Sequence, residues 1–206
     1  GSTPISVVVA GSFGRFDACP ESDLDFMLVS QDELEAEDKI IDKIKEVASS
    51  FNMKPPNPEG VFSQSIVVPK MMQTIGSRDD SLVSLAQRML LLMESKPIYN
   101  ESMYRSAVDQ FLTKYLELVI AGPPKEAIFM LNDIIRYFRS ICTNYQFNFW
   151  REEEKWVIRN IKLRHSRIIM YASLVLLVMN ANKNRTDKFG YISSDIHLIP
   201  IEKIIH

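Results

Sequence analysis

Val7 to Val29 reads Val-Val-Val-Ala-Gly-Ser-Phe-Gly-Arg-Phe-Asp-Ala-Cys-Pro-Glu-Ser-Asp-Leu-Asp-Phe-Met-Leu-Val. An apolar, β-branched run from Ile5 to Ala10 enters a Gly-Ser turn, and a second apolar run from Leu24 to Val29 leaves an acid-x-acid pair. This pattern predicts strand, loop, strand, with the chemistry in the loop. Alternation along a strand puts Asp23 and Asp25 on one side, two rises of about 3.3 Å apart. At an effective dielectric near 20, two carboxylates that close repel by about 2 to 3 kcal/mol unless a cation lies between them. Mg²⁺, or Mn²⁺ in its place, is a natural occupant, since it takes one or two carboxylates and fills its octahedron with water and phosphate oxygens. Gly11 lets backbone approach a phosphate and Ser12 adds a hydroxyl and an amide donor. Gly14 is expected to keep the turn open and Arg15 to supply a forked cation. Taken alone, an Asp-x-Asp pair or a Gly-Ser turn is more often ordinary solvated turn chemistry.

The conjunction is more specific than its parts. Gly11-Ser12 after a strand, Arg15 shortly after, and Ser22-Asp23-Leu24-Asp25 opening the next strand resemble the signature of the DNA polymerase β-like nucleotidyltransferase superfamily. The resemblance implies that Gly11 and Ser12 grip a triphosphate and that Asp23 and Asp25 bind the catalytic metal. Members of that family usually carry a helix before the first strand, whereas this chain reaches it after Gly1 to Pro4. The glycine spacings of a Walker A loop or a dinucleotide fingerprint are absent.

The 206 residues, with a formal charge of −2, allow one large or two small domains and argue against wholesale wrapping of nucleic acid. Cys19 and Cys142 lack metal-ligand spacing, so no zinc site is expected and a reducing, cytoplasmic setting is the default. The longest apolar run, Ile168 to Met179, is too short to cross a bilayer, so no membrane partner is expected.

Beyond Val29, Asp32 and Glu35 have capping-box spacing, and Ile40, Ile44, Val47 and Phe51 recur at helical intervals. Three prolines and Gly60 then force a loop, and Val61 to Val68 reads as a strand closed by Pro69. Many members of the resembling family place a third carboxylate on a later strand. Here Glu59, Asp79 and Asp80 are the nearby candidates, and the third carboxylate stays unassigned.

From Asp80 onward the pattern is helical. Asp80 or Ser81 can cap a helix bearing Leu82, Leu85, Met89, Leu92 and Met93, and Asn100 a second bearing Tyr104, Val108, Phe111, Tyr115 and Val119. A third spans about 125 to 145, with Ile128, Leu131, Ile135, Phe138 and Cys142 aligned. One or two more run from about 151 to 182. The tail from Phe189 to His206 is apolar without a clear period and is expected to dock on a partner or on further sequence. The fold class expected is α+β: a small mixed-sheet nucleotidyltransferase domain, 1–90, followed by a helical bundle, 91–206.

In the helical half, Lys155, Arg159 and Lys162 stand at i, i+4 and i+7, followed by Arg164, His165 and Arg167. This stripe is either a solvated face balanced by Glu152 to Glu154 or a wall, led by Arg159 and Lys162, that holds triphosphate or acceptor. Asn132 to Arg139, with Trp150 and Trp156, resembles the helical domain of bacterial uridylyltransferase-like enzymes. Within it Arg136 and Arg139 are expected to pair with Asp133 and nearby glutamates, and His165 to be a packed or surface residue.

The function expected is Mg-dependent transfer of a nucleotidyl group from a nucleoside triphosphate to an acceptor hydroxyl on RNA, protein or a small molecule. A catalytically weak regulatory module of the same fold, antitoxin-like or nucleotide-sensing, is the alternative. A helical interaction protein with an incidental Asp pair is a third.

Overall fold

The computed structural model describes residues 4–56, 61–63, 65–117, 127–151, 153–184 and 186–205. The chain is α+β and divides into two compact units, Gly1–Lys114 and Tyr115–His206. The division comes later than the expected 90/91: the strand after the fourth helix belongs to the sheet, and the first unit runs on to Lys114.

Unit 1 is built on a four-stranded mixed sheet in the order β3-β2-β1-β4. β1 (Ile5–Val9) and β2 (Phe26–Ser30) are antiparallel, with Val9 opposite Phe26 and Ile5 opposite Ser30. β3 (Ile66–Val67) runs parallel to β2, and β4 (Lys96–Tyr99) antiparallel to β1, with a register irregularity between Val7 and Val8. Two side chains fasten β4: Ser6 Oγ donates to the Tyr99 carbonyl at 2.8 Å, and Asn100 Nδ2 donates to the Ile5 carbonyl at 2.9 Å. β2 is buried along its whole length, as expected of a strand covered on both faces.

On one face of the sheet, Val7, Val9, Leu24, Phe26 and Leu28 pack with Ile41 and Ala48 of α2 (Glu37–Ser50), with Ile40 and Ile44 against them. The helix starts later than its sequence spacing predicts, and its predicted face holds in part, with Ile40 and Ile44 packed inward and Val47 and Phe51 turned out. Ala36 occupies the N-cap without a side-chain bond, the Asp32 carbonyl accepts from Ser30 Oγ at 2.7 Å, and Val47 and Phe51 are exposed. Glu37 instead ties the helix start to the sheet edge, accepting from Ser65 N–H at 2.6 Å and Ser65 Oγ at 2.9 Å. The predicted strand over 61–68 is a 3₁₀ turn (Val61–Ser63) and the two residues of β3. Pro69 opens α3 (Val68–Thr74) rather than closing a strand, because a missing N–H costs nothing in a first helical turn.

α4 (Leu82–Glu94) is capped by Ser81, whose Oγ accepts from Ser84 N–H at 3.0 Å, and it is buried from Leu85 to Glu94. α5 (Glu101–Glu117) is capped by Asn100, whose Oδ1 accepts from Met103 N–H at 3.2 Å, and it buries Tyr104, Val108, Phe111 and Tyr115 as expected. Val119 lies outside the described residues.

Unit 2 is helical. α6 (Ile128–Arg151) turns Met130, Asp133, Ile134 and Tyr137 inward while Ile128 and Ile135 are exposed, a rotation from the predicted face. The reason is polar: Asp133 is buried, accepts from Tyr115 Oη at 2.6 Å and pairs with Arg136 at 2.9 Å, the Arg136 partnership expected from sequence. A 3₁₀ turn (Glu153–Lys155), α7 (Trp156–Lys162), a π turn (Leu163–Arg167) and α8 (Ile168–Asn184) follow in succession. α8 buries Met170, Leu174, Leu177, Val178 and Ala181 at helical spacing, and Tyr171 stacks on Phe138 of α6 at 4.3 Å. The tail forms α9 (Lys188–Asp195) and α10 (Pro200–Ile205), both packed on α8, so it docks within its own unit. No described helix is long and apolar enough to cross a membrane.

Candidate functional site

The β1/β2 ladder continues one step past the strand ends, where Ala10 N–H donates to the Asp25 carbonyl at 2.9 Å. Gly11 and Asp25 therefore emerge side by side at one end of the sheet. Gly11 has φ +62°, a left-handed conformation that side chains resist, and a Cβ there would lie 2.8 Å from Asp25 Oδ2. The acid occupies the space that glycine leaves. Gly11→Ala should destabilise the chain by about 1 to 3 kcal/mol, combining the left-handed penalty with displacement of the carboxylate, and a urea melt measures it.

Gly11 to Gly14 forms a short helical turn, α1, where sequence predicted an open loop. Gly14 does the reverse of holding the turn open: a Cβ on it would lie 1.9 Å from the Glu94 carbonyl oxygen, so glycine lets the turn press against the end of α4. The turn is then closed by Arg15 N–H to the Gly11 carbonyl at 3.1 Å and Asp17 N–H to the Ser12 carbonyl at 2.9 Å.

Arg15 is held within this framework. Its Nε and Nη2 each meet an Asp17 carboxylate oxygen at 3.1 Å, and Nη1 pairs with Glu94, whose side chain is fully buried. All three guanidinium nitrogens face carboxylates, and the Arg15 side chain is 11% exposed. Its charge steadies the turn. Glu94 was not singled out in the sequence, because its burial at the end of α4 depends on Gly14 and Arg15 arriving from a distant segment.

Asp23 and Asp25 are delivered by two consecutive turns. Ser22 N–H donates to the Cys19 carbonyl at 2.9 Å, a β-turn with Pro20 at its first central position, and Asp25 N–H donates to the Asp23 carbonyl at 3.1 Å, a γ-turn about Leu24. The pair thus precedes β2 rather than lying on it, with Asp23 exposed and Asp25 half-buried. Asp23 forms a parallel bridge with Lys54, and Leu24 N–H donates to the Lys54 carbonyl at 2.8 Å. Lys54 Nζ pairs with Glu21. The hydrogen bond to Glu21, aided by its charge and that of Asp23, holds the Lys54 ammonium above its ordinary pKa, and Lys54 correspondingly lowers Glu21. The Cys19 thiol is lowered chiefly by its hydrogen bond with Ser22. A lysine beside the Asp pair had no local sequence signal; only strand pairing brings residue 54 to residue 23.

The candidates for a third carboxylate lie in different settings. Asp80 is fully buried in a forked pair with Arg88, at 3.2 Å to Nη1 and 2.8 Å to Nη2, so it is a structural group of unit 1. Asp79 is exposed in its loop, 3.8 Å from Arg78. Glu59 lies outside the described residues. Among the described residues no group of three or more His, Cys, Asp or Glu side chains is placed to hold a metal. The donors at the sheet end are two hard carboxylates, one of them lying over Gly11, and carboxylate oxygens are the ligand type that Mg²⁺ and Mn²⁺ take.

No family model, curated protein or solved structure matches this chain.

Arg159 and Lys162 belong to unit 2. On α7 they stand at i and i+3, while Lys155 lies in the preceding 3₁₀ turn, so the predicted single stripe is broken at its start. Arg159 Nη1 donates to the Asn148 carbonyl in α6 at 3.0 Å, and Lys162 and His165 are exposed.

Proposed function

We propose that unit 1 is a nucleotidyltransferase-type site that binds a nucleoside triphosphate with Mg²⁺ or Mn²⁺ through Asp23 and Asp25. The observation that carries this reading is the Asp25 carboxylate lying over Gly11, where only glycine leaves room for it. That arrangement brings an acid and the Gly-Ser backbone together at one end of the sheet. Gly11 and Ser12 would contact phosphate oxygens, Asp23 and Asp25 would hold the metal, and Arg15 would keep the turn in place. When bound, the metal supplies charge neutralisation on the phosphates and on the departing pyrophosphate. In the full reading a nucleotidyl group passes from the triphosphate to an acceptor hydroxyl as pyrophosphate leaves.

A second reading is favoured by one observation, the enclosure of Asp80 in the Arg88 pair, which removes a candidate base. In it the same site binds nucleotide as a regulatory module and transfers slowly. General-base assistance is typically worth about 10² to 10⁴-fold in rate, so the two readings separate by turnover. Incubation with each labelled triphosphate and Mg²⁺, followed by a search for label on the protein, RNA and small molecules, decides between them. Stoichiometric label transfer with pyrophosphate release supports the transferase. Binding without release across all acceptors supports the module.

A further inference from the structure

Phe16 stands at the tip of the same turn, 73% exposed, with φ +60°. A bulky aromatic residue in the left-handed region is an outlier, and one whose ring is not buried regains nothing by packing. Asparagine, aspartate or glycine would occupy this position with less strain. The conformation is nevertheless over-determined: the Arg15–Asp17 fork spans Phe16 on both sides, Phe16 N–H donates to the Phe13 carbonyl at 3.3 Å, and Asp17 N–H is tied to Ser12. Lys96 at the start of β4 places its Nζ 5.7 Å from the ring centroid, a cation–π contact. An exposed aromatic ring on a strained and firmly tied backbone is a way to build a stacking surface.

We propose that Phe16 is the platform on which the nucleobase of the bound triphosphate stacks. Three residues separate it from Ser12, and the bond from Asp17 N–H to the Ser12 carbonyl at 2.9 Å folds the chain just past Phe16 back onto Ser12, so a nucleotide with its phosphates at Gly11 and Ser12 can lay its base on this ring. The ligand class is therefore a nucleoside triphosphate rather than a bare polyphosphate. Stacking tolerates every base, which makes the platform a source of affinity more than of base selectivity. The proposal rests on the triphosphate reading above and refines it.

Calorimetry on the full chain with Mg²⁺ and, separately, ATP, GTP, CTP, UTP and inorganic triphosphate tests it. Phe16→Gly should weaken binding of the nucleoside triphosphates by about 5 to 150-fold while inorganic triphosphate binds as to wild type. The same variant should unfold about 4 °C higher than wild type, since glycine relieves the left-handed strain, and Phe16→Trp should restore nucleotide affinity. Loss of affinity for inorganic triphosphate in equal measure, or unchanged nucleotide affinity in Phe16→Gly, overturns the platform alone. Failure of wild type to bind any of the five probes, or full binding by the Asp23→Asn, Asp25→Asn double variant, overturns the parent reading.

Discussion

Asp80→Ala should lower the stability of the chain by about 3 to 5 kcal/mol, moving its thermal midpoint down by about 6 to 20 °C. Both side chains of the Asp80–Arg88 pair are fully buried, so removing the carboxylate leaves a guanidinium that can neither lose its proton nor reach water. The double replacement Asp80→Leu with Arg88→Met should recover most of that loss, because no buried charge remains to be compensated. Urea titration of the three variants measures this, and a loss below about 1 kcal/mol for Asp80→Ala would show that the pair is not what closes this part of unit 1. The same physics bears on catalysis. An Asp80→Asn variant with low turnover would report damaged folding, and only a stability-matched comparison could assign that loss to chemistry.

The Asp23→Asn, Asp25→Asn double variant should lose the whole of the stabilisation that Mg²⁺ and a triphosphate confer on wild type, about 2.7 kcal/mol at one hundred times the dissociation constant. Asp25→Asn alone should account for most of it, since Asp25 is the half-buried acid over Gly11, whereas Asp23 is exposed and shares Lys54 with Glu21. Thermal denaturation with and without ligand reads the difference. An undiminished shift in the double variant would sink the metal assignment and with it the nucleotide reading.

The first thirty residues carried their own interpretation because their constraints are local. A β-branched run, a Gly-Ser break and a second apolar run specify two strands and the turn joining them, and Ser81 and Asn100 announced α4 and α5 through side chains that bond three residues ahead. The predicted helical face held on α5, where Tyr104, Val108, Phe111 and Tyr115 are all buried. The predicted face rotated on α6, where Asp133 turns inward because Tyr115 Oη donates to it. Periodicity counts apolar residues, so it cannot foresee a polar side chain whose partner lies on another helix.

The sequence by itself determined the α+β class and the first two strands, since these follow from neighbours along the chain and from the period of strand or helix. Tertiary structure alone decided that Asp80 belongs to Arg88, that Arg15 belongs to Glu94 and Asp17, that Gly14 exists for the carbonyl of Glu94, and that Lys54 stands beside Asp23. The physical reason is common to all four. A charge or a glycine finds its role in what packs against it, and the partners here, Asp17 excepted, lie between 8 and 80 positions away, beyond the reach of any local pattern.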